Sequence, residues 1–242
     1  MSKILEQHQC INNCQCASAT VAVVEKQPTH LGYLIAEDLR ANGIENPLLS
    51  NKKKMPVMTE AEKIAKIEGQ FKGILETMGV DLSDASVEKT PHRVAKMYVK
   101  ELCAGLQPEN FPACTTFPVT ANSVVFQKDI PFTSMCEHHF LLFSGVAHVG
   151  YFSNGKVIGL SKLNRIVEYF ARRPQIQERL NKQILRCLQK VLDTEHVVVK
   201  LEAAHSCIAA RGALSKGSCT TTVEAGGMFL DEARIKEHLP RL

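Results

Sequence analysis

The stretch from Ser161 to His205, SKLNRIVEYFARRPQIQERLNKQILRCLQKVLDTEHVVVKLEAAH, changes its hydrophobic period, and that change decides the fold. Apolar residues first recur at helical spacing in two runs: Leu163, Ile166, Val167 and Phe170, then Ile176, Leu180, Ile184, Leu188 and Val191. Ser161 stands where a helix cap would, and Pro174 where a second helix would open, because the missing proline N–H has no helical partner there. From His196 to His205 the pattern becomes that of a strand. Working outward, Ser123–Ile130 and Leu141–Phe152 read as strands before the helices, and Ser218–Glu224 as a strand after them. The order β-β-α-α-β-β predicts an α+β fold, with a mostly antiparallel sheet and helices on one side.

A helical segment precedes this unit. Residues 32–42 read as a short helix, and Asn46 to Met58, with two prolines and the run Lys52-Lys53-Lys54, as a linker. Thr59 with Glu62 forms a capping box for a helix whose apolar stripe is Ile64, Ile67, Phe71, Ile74, Leu75 and Met78, ending near Gly79. Thr90-Pro91 marks another helix start, ahead of His92, Arg93 and Lys96. Cys10, Cys14 and Cys16, with His8, match none of the common zinc spacings, so residues 1–31 read as a flexible tail. The chain divides into that tail, a helical region 32–118 and a sheet-containing region 119–242.

Composition excludes several classes. Hydrophobic residues make up 45% of the 242, enough for a core, and 29 basic against 25 acidic residues is too even for a dedicated nucleic-acid face. No run approaches the ~18 apolar residues of a membrane span, and the N-terminus lacks the apolar stretch of a signal peptide. These features predict a cytoplasmic chain without nucleic-acid or membrane partners. Nine cysteines, an odd and irregular set, argue for thiolate ligands rather than a disulfide framework.

The chemistry concentrates at two places. In Cys136-Glu137-His138-His139 a thiol and an imidazole lie three residues apart, close enough to reach one ion across a tight turn. The best third ligand is Cys207, because His205-Ser206-Cys207 reads as the end of a strand and alternate strand residues share a face, which puts Cys207 on the same side as His205. A Cys2His set leaves one tetrahedral position open, as catalytic zinc requires, and bound zinc lowers the pKa of water to about 7. His138 and His205 remain as unligated imidazoles, suited to proton transfer at working pH. Glu137 reads as a surface residue or a prop for its neighbours. Ser161-Lys162-Leu163-Asn164-Arg165 gathers cations at a helix N-terminus, an arrangement that suits phosphate, and Arg93, Lys96 and Arg211 could add charge.

Five segments together resemble the GTP cyclohydrolase I family: TPHRVAKMYV (90–99), SMCEHHF (134–140), VIGLSKLNRIV (157–167), RPQIQERL (173–180) and EAAHSCIAARG (202–212). The similarity runs from about Lys63 to Phe229. It implies a tunnelling fold with region 119–242 catalytic, assembled as a homodecamer of two stacked five-membered rings with active sites between subunits. By the same resemblance Cys136, His139 and Cys207 match ligands for one Zn2+ per subunit, and His138 and His205 match an acid–base pair. Arg93, Lys96, Ser161, Lys162, Arg165 and Arg211 match positions around the triphosphate of GTP, and Gln177 and Glu178 match a guanine-binding pair. The implied reaction is hydrolysis at C8 of GTP, loss of formate and closure to 7,8-dihydroneopterin triphosphate. Cys219 stands where a small residue without a thiol is expected.

Overall fold

A long hairpin sets the frame. Strands β2 (Val124–Cys136) and β3 (Leu142–Phe152) pair antiparallel, with a register shift between Gln127 and Ile130 where Asp129 takes φ 55°. This bulge explains why alternation along the sequence breaks near Ile130, although the strand continues to Cys136. The computed structural model describes residues 30–48, 58–231 and 233; the cysteine-bearing tail and most of the expected linker lie outside them.

The other strands are β1 (Thr116–Pro118), β4 (Lys156–Ile158), β5 (Pro174–Gln175), β6 (Val197–His205) and β7 (Thr220–Ala225). Five of the strands form one sheet in the order β5-β2-β3-β6-β7, antiparallel except where β5 joins β2, while β1 and β4 make a separate pair. Helices α4 (Leu160–Ala171) and α5 (Gln177–Leu192) pack Leu163, Ile166, Phe170, Leu180, Ile184 and Leu188 into one buried cluster. Its sheet side is Phe143, Ala147, Val149 and Tyr151 of β3, with Val197, Val199, Leu201 and Ala203 of β6. Alternate residues of paired strands share a face, so the register that couples Phe143 to His205 puts both on the helix side. The α+β order and the tunnelling fold expected for the family hold, as does the N-terminal helix.

Two helix starts differ from expectation. The first opens at Leu160 with Gly159 at its cap and no side-chain cap bond; the backbone bond from Lys162 N–H to Gly159 O, 2.8 Å, begins the turn before Ser161 can cap it. Pro174 opens no helix: it lies in β5, paired to Met135, and α5 begins at Gln177 with Ile176 as its cap residue. Proline lacks a donor, but a two-residue edge strand tolerates that.

Helix α1 (His30–Ala41) is tied to α5 by a fork from Arg186 to Asp38, Nε–Oδ2 2.7 Å and Nη2–Oδ1 3.1 Å. That guanidinium holds the Asp38 carboxyl below its ordinary value. Helix α2 (Glu60–Thr77) starts on the expected capping box, and Gly79 at φ 81° ends the turn beyond it. It packs on α3 (Thr90–Met97), which begins at Thr90 itself, with Lys89 as the cap residue. Of the α2 stripe only Leu75 is buried; Ile74 and Met78 remain exposed. No described helix is long and apolar enough to cross a membrane.

Candidate active site

The hairpin between β2 and β3 closes tightly. Cys136 N–H donates to Leu141 O and Phe140 N–H to Cys136 O, each 2.8 Å, and Phe140 takes φ 55°. Cys136, His138 and His139 are therefore held on one short turn. Beside it β6 ends at His205, and the chain folds into the single-turn helix α6 (Ser206–Ala209), which carries Cys207. Cys207 thus departs from the expected strand alternation, yet α6 brings it to the same place: ligand atoms of Cys136, His139 and Cys207 lie within 4.8 Å of one another.

The chemistry of this trio suits a metal ion. Burial raises the Cys207 thiol above its ordinary value and the neighbouring Cys136 raises it further, while Arg211 opposes both. Two adjacent thiols resist becoming two thiolates unless a cation sits between them, and a thiolate–thiolate–imidazole set matches zinc. The same cleft, about 230 Å³, is lined by Cys136, His138, Gln177, Glu178, His205 and Cys207 among others.

His205 is held on two sides. Its ring stacks on Phe143 at 4.5 Å and 10°, and its Nε2 lies 2.8 Å from Gln177 Oε1. Gln177 is buried, and its amide nitrogen faces three acceptors: Leu201 O at 3.1 Å, Thr220 O at 3.0 Å and Thr222 Oγ1 at 3.2 Å. Both amide hydrogens are engaged there, so Oε1 must accept, and His205 Nε2 must carry the hydrogen. Burial lowers the His205 pKa, and the carboxylate of Glu178 partly offsets this. Glu178 itself is exposed at the start of α5.

Glu137 accepts a forked pair from Arg179, at 2.5 Å and 3.1 Å, which holds its carboxyl below the ordinary range and fastens the turn to α5. Sequence reasoning passed over Arg179, since its partner is 42 positions away and no local pattern joins them. The cations expected near phosphate are not gathered in one chain. Arg93 and Lys96 are exposed on α3, Ser161 and Arg165 are exposed on α4, and Arg165 lines a different cavity with Lys100 and Arg172. Only Arg211 acts electrostatically on a residue of the cleft, Cys207. Cys219 is exposed.

An α+β sheet protein with a Cys2His cluster and two further imidazoles beside it has the makings of a metal-dependent enzyme. Residues 67–242 match the sequence model of the family described as GTP cyclohydrolase I. The chain is 47% identical over 198 residues to GTP cyclohydrolase 1 of Aeromonas salmonicida (strain A449), covering 81% of this chain and 88% of the relative. It is 45% identical over 198 residues to that of Vibrio cholerae serotype O1, covering 81% and 89%, and 48% over 184 residues to that of Flavobacterium johnsoniae, covering 75% and 82%. The chain belongs to the GTP cyclohydrolase I family and is an enzyme of that class.

Proposed function

We propose that the chain opens the imidazole ring of GTP at C8, releases that carbon as formate and closes the remainder to 7,8-dihydroneopterin triphosphate, with one water consumed overall. The observation that carries this reading is the single cleft in which Cys136, Cys207, His138, His205 and Glu178 converge. Cys136, His139 and Cys207 would hold one zinc per subunit, which when bound supplies a Lewis acid and a water of pKa about 7. His205 keeps its Nε2–H on Gln177 and takes or returns protons at Nδ1; His138, exposed beside it, passes protons to the opening ring. Gln177 serves the base indirectly, by fixing the His205 ring, and Glu178 meets the base itself. A cytoplasmic setting, where thiols stay reduced, suits the thiolate ligands.

Guanine selection by Glu178 rests on donor count. Guanine offers N1–H and its 2-amino group side by side to the two oxygens of a carboxylate, whereas adenine presents an acceptor at N1 and would leave that charge unpaired. Glu178→Ala, folded and metal-loaded, should lose kcat/KM for GTP by about 10²-fold and narrow its preference over ATP. Steady-state kinetics with GTP, ITP and ATP check this. Wild-type GTP kinetics with undiminished rejection of ATP would reduce Glu178 to a favourable charge at a helix start.

The triphosphate reading needs a second subunit. A cleft of 230 Å³ falls below the ~300–1,000 Å³ usual for small-molecule sites, and Arg93, Lys96, Ser161, Lys162 and Arg165 do not line it. The uncovered α2 stripe borders an apolar cavity of 580 Å³ lined by Ile67, Phe71, Ile74, Tyr98 and Phe140, a surface that association would bury. A homodecamer of two stacked pentamers, with regions 32–118 and 119–242 acting as one unit, accounts for both features. Light scattering should return about ten chains per particle, and a fully active monomer at assay concentration would contradict the shared site.

A further inference from the structure

A second group of polar side chains lies buried behind the metal-binding turn, and of its members only Gln175 lines the cleft. Arg173, 3% exposed, donates from Nη1 to Glu45 Oε1 at 2.9 Å and to Asn46 Oδ1 at 3.2 Å, while its guanidinium lies 4.8 Å from the ring centres of Tyr169 and Phe170. Asn46 Nδ2 donates to Pro174 O at 2.7 Å. Gln183 Nε2 reaches Asn46 Oδ1 at 3.1 Å and Ile44 O at 2.7 Å, and Gln175 Nε2 reaches Gln183 Oε1 at 2.8 Å. The segment after α1 is thus plugged, through side chains, into the residues between α4 and α5.

Those residues are the ones that hold the turn. Ser134 Oγ donates to Arg173 O at 3.3 Å, Cys136 pairs with Gln175 in the sheet, and Glu137 N–H donates to Gln175 O at 3.0 Å. A buried ion pair is a poor device for stability alone, since apolar residues of similar volume often replace it without loss. Here the guanidinium even leaves its buried Nε without a partner among the described residues. What such a pair does enforce is one register for the strand it grips.

We propose that Glu45, Asn46 and Arg173 are positioning residues for the metal-binding turn, holding β5 so that its backbone fixes Cys136 and Glu137. The proposal rests on the reading of Cys136, His139 and Cys207 as metal ligands, and it reaches back 90 residues, to the N-terminal segment, for the control of their geometry.

The test is an apolar replacement of the pair, Glu45→Leu with Arg173→Met, alongside Asn46→Ala in case the double variant does not fold. Four measurements are made on the full-length protein: the melting temperature, amide exchange across residues 134–142 in the metal-free state, zinc release to a chromogenic chelator, and steady-state kinetics with GTP. The expected result is a melting temperature near wild type, with exchange and zinc release each faster by about 10-fold or more, a fall in kcat larger than any change in KM, and partial recovery in Arg173→Lys. Leu188→Ala, destabilised in the core away from the turn, should keep wild-type zinc release. Unchanged exchange across 134–142 in a folded variant overturns the proposal, as does faster exchange with unaltered zinc release or an equal effect from Leu188→Ala. Exchange in the metal-free protein needs no bound zinc, so a failure of the ligand assignment shows separately, as wild-type protein that retains no metal.

Discussion

Cys207→Ser is expected to lose its metal and to fall in turnover by about 10³-fold or more, the scale of the several kcal/mol that a bound metal contributes. A serine hydroxyl stays protonated at neutral pH where a thiolate would bind, and its oxygen sits on a shorter bond than sulfur. The remaining Cys136 and His139, within 4.8 Å, make a two-ligand site that cannot retain zinc against dilution. The fold should survive, since Cys207 is only half-buried on the single-turn α6 and touches the core of α4, α5 and the sheet from its margin, where serine is a small change. Elemental analysis against protein concentration checks the first half and GTP turnover the second. Full zinc occupancy in the folded variant would remove Cys207 from the ligand set.

His205→Ala should separate the two quantities, keeping zinc while losing about 10²- to 10⁴-fold in kcat, the usual contribution of a positioned proton carrier. The geometry supports the split: the His205 ring is engaged by Gln177 and Phe143, and it is not one of the three clustered ligand side chains. A modest loss of stability accompanies it, because Gln177 Oε1 is left buried without its donor, at a cost of ~1–3 kcal/mol. His205→Asn, which restores a donor but not a proton carrier, should recover stability and leave kcat low. Zinc loss from His205→Ala equal to that from Cys207→Ser would make His205 a ligand.

Much of this arrangement is legible in the chain. The apolar runs of α4 and α5 have unbroken helical periodicity because both helices are buried against the sheet along one face, and the strand 197–205 alternates between that face and the other. The trio Cys136, His139 and Cys207 stands out because thiol and imidazole at turn spacing serve few other ends. What escapes is set by contacts between distant residues. β5 is two residues long and exists only because β2 runs beside it, so Pro174 looks locally like a helix start. Ser161 looks like a cap because the earlier Gly159, without a side chain, offers no capping signal. Arg179 with Glu137, and Arg173 with Glu45, join residues 42 and 128 positions apart, and nothing in either neighbourhood announces a partner. The cations proposed to meet phosphate are readable as residue types, but one chain does not bring Arg93, Lys96, Lys162 and Arg165 to the cleft.

The most direct measurement follows formate and pterin together from GTP, in wild type, Cys207→Ser and His205→Ala, with zinc determined on the same preparations. Wild type should release one formate for each dihydroneopterin triphosphate formed, with about one zinc per chain; Cys207→Ser should lack both metal and products, and His205→Ala should keep the metal and form products slowly. Wild-type protein that holds zinc and binds GTP yet releases no formate would contradict the assignment of this cleft to ring opening at C8.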